Sequence, residues 1–537
     1  MATTDHSTVI PGTVHLVDVG EQQASAKSQN GIELIPRPSD DPENPLNWSL
    51  RRKYLSMAMV VVYTFGVGLP ITLEYSVLAG ITANTGISTA TLVEGKGYMF
   101  LLLGFGCLFW QPIALTYGRR GVYLISTLLT VPLMVWTAYS KSKAEWLVHR
   151  IIGGFICAPI EALPEVSIPD VFFAHGRGGW MGLYVFSLFG SNFLAPLIGG
   201  WFAERWGWKW MMHFGAMFAA LAFVVLLFFM DLEETMYFRQ TLEGLEDETY
   251  VATAAAATSA GAVVVNGEKK HTGSDFSDVA SQSPDVVYEK RSYVEKLKWF
   301  GLAEGRPTLQ HMFKSMYIMP LVYIVEFPIV AWAGFIYGIN LCWYNVLNGT
   351  ASPVLASDPY NWTSVLVGSI YTGPIIGAAF GCIWAGIIAD RMTLWLARRN
   401  NGVREPEYRL WPLLHTSLLS CIGLIIWGVG AANHVHWAVL ATGLGILTFG
   451  VVAGGSVALS YNIDCYKESS GSTTTSVIVI RNCLGFAISY GLTPWYTNMG
   501  LQNCFIMAGF LSLGCTLTFL VMVWKGKDLR RLSAQKY

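Results

Sequence analysis

Residues 94–140 read EGKGYMFLLLGFGCLFWQPIALTYGRRGVYLISTLLTVPLMVWTAYS. Two apolar runs, 94–116 and 122–140, flank the short polar break Gly118-Arg119-Arg120, and each is long enough to cross a hydrocarbon core as a helix. Backbone amides find no water in lipid, so such runs must close their own hydrogen bonds as helices. The pattern repeats outward in both directions. Further runs lie at 54–78, 146–169, 180–203 and 208–230, and a second set lies at 317–346, 363–389, 410–431, 436–461, 473–496 and 501–524. The expected fold is an all-α membrane protein, with twelve transmembrane helices in two pseudo-symmetric six-helix bundles. Its expected parts are a tail at 1–53, a bundle at 54–231, a linker at 232–315, a second bundle at 316–524 and a tail at 525–537.

Composition agrees. Of 537 residues, 53% are hydrophobic and 13% charged, about half the charged share of a soluble domain. The formal net charge of −1 is spread over tails, linker and short loops, which makes nucleic acid an unexpected partner. The nine cysteines stand singly in apolar surroundings, without the paired spacing of a zinc site, so no metal or cofactor is expected. The first 50 residues are polar and lack the layout of a cleavable signal, so the first apolar run is expected to direct insertion.

With the N-terminus inside, the inner side collects Arg51, Arg52, Lys53, Arg119, Arg120, Arg177, Arg391, Arg398, Arg399, Arg404, Arg409, Lys467, Lys525, Lys527, Arg530 and Arg531, while the outer loops hold Lys141, Lys143, Arg205 and Lys209. The positive-inside rule therefore puts both termini in the cytoplasm. It also puts the triplets beginning at Asn348 and Asn361 in one outer loop, as glycosylation acceptors. The linker is rich in Ala, Ser, Thr, Asp, Glu and Lys and is expected to tether the halves without ordering fully. Residues 233–235 and 293–300 could lie on the membrane as amphipathic helices or stay solvated.

The loop Gly118-Arg119-Arg120 recurs after the eighth run as Gly386-Ile387-Ile388-Ala389-Asp390-Arg391. Matching loops in two halves are the mark of an internally duplicated transporter. These residues make the chain resemble the major facilitator superfamily. The stretch Ala195-Pro196-Leu197-Ile198-Gly199-Gly200 is similar to the antiporter motif of its twelve-span drug:proton branch, and Arg150-Ile151-Ile152-Gly153-Gly154 to that branch's proton-relay arginine motif. The segments 41–49, Glu407-Tyr408-Arg409-Leu410 and Arg481-Asn482 resemble fungal members, among them polyamine and cation permeases. Two departures stand out: Leu115 where the family places Asp, and Ala195 where it places Gly. Any inner latch is therefore expected in the second half.

An ionisable side chain at bilayer depth costs about 2.5–3.5 kcal/mol even on lenient scales, so each implies a partner, a wet cavity or a function. On an ideal helix Arg150, Glu161 and Glu165 share one face, with Asp170 nearer the inner end, and Pro159, Pro164 and Pro169 interrupt that geometry. Glu326, about nine residues into the seventh run, reads as a mid-membrane acid for a proton or a cationic substrate. Asn340 and Tyr344 offer amide and phenol groups further along, and Glu74 either guards an outer vestibule or reaches water. Asp464 and Arg481 are expected to form a structural pair.

These readings converge on a transporter with no catalytic residues. Its expected partners are a small-molecule substrate, protons and the lipid bilayer, and the chain is expected to be monomeric. The carboxylates outnumber Arg150, which favours an organic cation such as a polyamine or an amphiphilic drug or toxin. Efflux of a neutral or anionic metabolite and nutrient uptake remain open. The plasma membrane is the expected site, with the vacuolar membrane as the alternative.

Overall fold

The computed structural model describes residues 11–15, 28–29, 32–33, 44–229, 317–400, 403–466 and 469–534; the expected linker 232–315, with the segments 233–235 and 293–300, lies outside the described residues. Among the described residues, twelve helices are long and apolar enough to cross a membrane: α1 (Leu50–Ser76), α2 (Thr89–Tyr117), α3 (Arg119–Tyr139), α4 (Lys143–Val171), α5 (Gly179–Trp206), α6 (Trp208–Phe229), α7 (Pro328–Ala356), α8 (Ser364–Arg399), α9 (Pro406–Ala432), α10 (Trp437–Cys465), α11 (Ser470–Met499) and α12 (Leu501–Ala534). Local chemistry explains several of their ends. The Ser88 side chain accepts from the Thr91 amide at the start of α2, and Ser142 with Glu145 forms a capping box at the start of α4. Gly207 and Gly500, at φ +84° and +77°, turn α5 into α6 and α11 into α12 within one residue, at the same place in each half.

The packing repeats too. In the first half α2 lies on α4, α3 on α6 and α1 on α5; in the second, α8 lies on α10, α9 on α12 and α7 on α11. The halves meet along α2 with α11 and along α5 with α8, two contacts that the repeat interchanges. The buried apolar residues divide by depth. At the end farther from Gly118 and Asp390, called here the far end, one cluster joins both halves and includes Leu73, Phe193, Trp343, Leu347, Leu444 and Leu492. At the motif end, two main clusters divide largely by half, one around Tyr63, Cys107 and Leu163, the other around Phe327, Ile336 and Tyr461. The bundle is thus sealed across its halves at the far end and divided at the motif end.

Two expectations about α7 are corrected. The spanning helix starts at Pro328, after a break at Phe327 that ends the short helix Met319–Glu326. Glu326 is therefore an exposed residue ahead of the span and not a mid-membrane acid. Proline at the first helical position explains the break, since it lacks the amide that would continue the preceding turn. At its other end α7 runs on to Ala356, so Asn348 is fully buried inside the helix and not in an outer loop. The amides Asn340 and Asn348 donate to the carbonyls of Ile336 and Tyr344 at 2.8 and 2.9 Å, which lets polar residues continue the helix between its neighbours. Asn361 does lie in the exposed turn before α8.

Candidate functional site: a charged interior between two halves

A cavity lies between the halves, lined by α1, α2, α4 and α5 on one side and α7, α10 and α11 on the other. Glu161, Arg481, Lys96, Tyr337, Asn340 and Tyr344 all reach it. Glu161 stands three residues beyond Ala158, where Pro159 begins a new helical segment of α4. It forms an ion pair with Arg481 of α11 and accepts from Asn482 Nδ2 at 3.0 Å. The Arg481 guanidinium also lies over the Tyr337 ring, 4.6 Å from its centroid. One turn on, Glu165 lies within electrostatic reach of Arg481 and Glu161, and its Oε2 is buried without a hydrogen-bond partner.

A second cluster sits toward the far end. Glu74, in the 3-10 turn that ends α1, takes Arg150 Nη2 on one oxygen and approaches Lys96 Nζ at 3.2 Å with the other. All three are buried. Lys96 also donates to the Ile71 carbonyl and lies 4.7 Å from the Tyr75 ring centroid, while Arg150 lies 4.7 Å from that of Trp146. Tyr344 closes the cavity on this side, edge-on to Phe193 with centroids 5.6 Å apart and to Tyr75 at 6.4 Å.

The expected single face of α4 is therefore split: Arg150 belongs to the Glu74 cluster, and Glu161 and Glu165 to the central one. Glu74 neither reaches water nor faces an open vestibule, because the far end is closed over it. Asp170 is outside the cavity, paired with Arg119 at the start of α3.

The motif residues form a symmetric frame at the motif end. Gly118, at φ +112°, joins α2 directly to α3, and Arg119 Nη1 donates to the Val166 carbonyl at 3.0 Å. Arg120 Nη2 donates to the Leu227 carbonyl at 3.2 Å. In the second half, Arg409 at the start of α9 meets Asp464 at the end of α10 at 2.9 Å, the counterpart of Arg119 with Asp170. It also takes Asp390 at 2.6 Å, an acid whose first-half counterpart is absent because Leu115 stands there. Asp464 further holds Arg404 at 3.3 Å. The expected Asp464–Arg481 pair is thus replaced by two others, since the two side chains serve different layers of the bundle. Arg391 is exposed, and Gly386 sits in a π-helical turn, Trp384–Ile388, with open space where a Cβ would be. Pro196 and Gly200 of α5 pack against Gly368 and Ser364 of α8, while Gly199 abuts the Leu73 carbonyl. The antiporter-like stretch therefore occupies a crossing between the halves.

Sequence reading missed Lys96. A lysine in the first turns of an apolar run reads as a helix end, and the signal that finds it is its depth, two residues inside a stretch with buried neighbours on both sides.

Comparison with known proteins accords with this arrangement. The chain is 28% identical to an uncharacterized MFS-type transporter of Schizosaccharomyces pombe, covering 98% of this chain and 94% of the relative. It is 25% identical to Protein HOL1 of Saccharomyces cerevisiae over 99% and 97% of the two chains, and 25% identical to the MFS transporter cpaT of Aspergillus oryzae over 91% and 90%. Among solved structures, a peptide transporter POT in complex with sulfate shares the fold with a TM-score of 0.56 at 16% identity, covering 89% and 95% of the chains. The partially occluded inward-open xylose transporter XylE of E. coli does so at 0.55 and 11%, covering 87% and 99%. The sequence model of the Major Facilitator Superfamily matches residues 54–462, so the chain, with its two six-helix halves around a charged cavity, is a membrane transporter belonging to that superfamily.

Proposed function

We propose that the chain is a proton-coupled secondary transporter that moves a small organic cation or amphiphile, polyamine-like or drug- or toxin-like, by alternating access. The observation that carries this reading is the Glu161–Arg481 pair, which ties α4 of one half to α11 of the other inside the cavity. A substrate ammonium entering the cavity competes with the Arg481 guanidinium for Glu161. Loosening that pair removes a tie between the halves and shifts the balance between access states. Tyr337, Tyr344, Phe100 and Phe189 offer aromatic walls to the apolar part of an amphiphile. With the basic loops cytoplasmic, the divided motif end faces inward and both termini lie inside. The plasma membrane is the first expectation for its residence.

A second reading, efflux of a neutral or anionic metabolite, is favoured by the presence of both Lys96 and Arg481 on the cavity wall opposite a single lining carboxylate. Uptake of labelled spermidine and of a hydrophobic monocation into proteoliposomes, with and without a pH gradient, separates the two. The cationic reading expects gradient-dependent flux that collapses in Glu161→Gln. Flux of neither cation by the native chain would overturn that reading in favour of the second.

A further inference from the structure

We propose that Lys96, and not a carboxylate, carries the coupling proton. This rests on the proton-coupled reading above and names the group that performs it. Glu74 is one carboxylate shared by two buried cations, Lys96 at 3.2 Å and Arg150. That leaves one positive charge without a counter-ion among side chains that are 3%, 4% and 5% exposed. An uncompensated charge in such surroundings is costly, and it is relieved by losing a proton. A guanidinium does not lose one in proteins; an ammonium does.

The groups facing Lys96 do not restore the balance. From α4 come Arg150, His149 and Cys157, the histidine 1% exposed against the Trp146 ring. From the end of α1 come Glu74 and Tyr75. On the α7 and α11 sides lie Tyr344, Asn345 and Ser489, none of them charged, and Arg481 is the next charged group toward the motif end. A proton on His149 would deepen the excess.

Lys96 is also placed to exchange its proton. It borders the central cavity, and it borders the smaller pocket toward the far end formed with Glu74, Tyr75, Asn345 and Ser489. In the step proposed, an N–H bond of the ammonium breaks, the electron pair stays on Nζ and the proton passes to water in the cavity. Reprotonation from the other side reverses it.

Charge balance then links the proton to the substrate. Glu161 and Arg481 neutralise each other, and the Glu74 cluster carries one net positive charge while Lys96 is protonated. That excess positive charge repels an organic cation. Once Lys96 loses its proton, that repulsion is gone and an organic cation enters beside Glu161. The proton on Lys96 and the cation in the cavity therefore exclude each other, which is the requirement for exchange of one against the other.

The test uses the full chain in proteoliposomes with labelled spermidine as probe, together with Lys96→Arg, which keeps the charge but cannot release it, and Lys96→Gln. One coupled proton across one pH unit gives the native chain a gain of about tenfold in accumulation over the gradient-free condition. Both variants are expected to show the same uptake with and without the gradient. A native chain indifferent to the gradient overturns the proton-coupled reading itself. A coupled native chain alongside an equally coupled Lys96→Arg overturns the assignment to Lys96 alone. Where the native chain or a variant moves no spermidine, melting of the detergent-solubilised chains decides. A lysine neutral in the folded state and protonated when unfolded makes stability rise with pH. The native chain must therefore gain melting temperature relative to Lys96→Gln between pH 6 and about pH 9, and parallel curves overturn the assignment.

Discussion

Glu161 and Arg481 stand 320 positions apart in the chain, on opposite halves, and neutralise each other inside the central cavity that both halves line. Because the pair is buried, removing one member strands the other as an unpaired charge. Glu161→Gln or Arg481→Gln is expected to cost about 3–5 kcal/mol of stability, and the double replacement less than either single one. Thermal melting of the purified chains measures all three; a double variant no more stable than the singles would show that the pair is not the relevant unit.

At the motif end, Asp464 holds two arginines and Asp390 holds one that has a second acid to turn to. Asp390→Asn should change stability by less than about 1 kcal/mol, in keeping with a half-exposed pair. Asp464→Asn should cost more, because Arg404 and Arg409 both lose an acceptor. Melting curves of the two variants compare them directly.

Arg530, fully buried, donates to Glu405 at 2.6 Å and to Glu407 at 2.8 Å. Burial alone would raise the Glu405 carboxyl, but hydrogen bonds from Lys527, Arg530 and Thr13 outweigh it and hold the group below the usual carboxylate range. A group depressed in the folded state lends stability above its unfolded value and loses it as pH falls through the folded one. The native chain should therefore lose melting temperature faster than Glu405→Gln as pH drops below about 4. Parallel curves would deny Glu405 this role.

Asn361 is exposed in the turn before α8 with φ +48°, whereas Asn348 donates its amide inside α7. Expressed in a yeast, Asn361→Gln should abolish any glycosidase-sensitive shift in gel mobility, and Asn348→Gln should leave it unchanged. A shift that survives Asn361→Gln and vanishes with Asn348→Gln would contradict the buried placement.

The twelve spans and the paired motif loops were legible in sequence, because hydrocarbon thickness and backbone satisfaction constrain both strongly. The interior was less so. Glu326 looked central because the apolar run begins before it; only the Phe327–Pro328 break moves it out of the span. Asp464 and Arg481 looked paired because they are near in sequence, whereas α10 and α11 carry them to different layers. The count that favoured acids in the cavity changes once Lys96 and Arg481 are seen to face it. Hydropathy registers how apolar a run is and not which way its charged member points.

The amino-terminal strand Val14–His15 pairs antiparallel with Val403–Arg404, while Arg530 grips the Pro11 carbonyl at 2.7 Å and the Thr13 hydroxyl at 2.9 Å. The start of the chain thus docks on the half that contains its end, bypassing the half to which it is joined. A polypeptide severed within 232–315 would keep this clasp, so two co-expressed fragments should find each other and reassemble. Deleting residues 11–15 should leave such fragments without their handle.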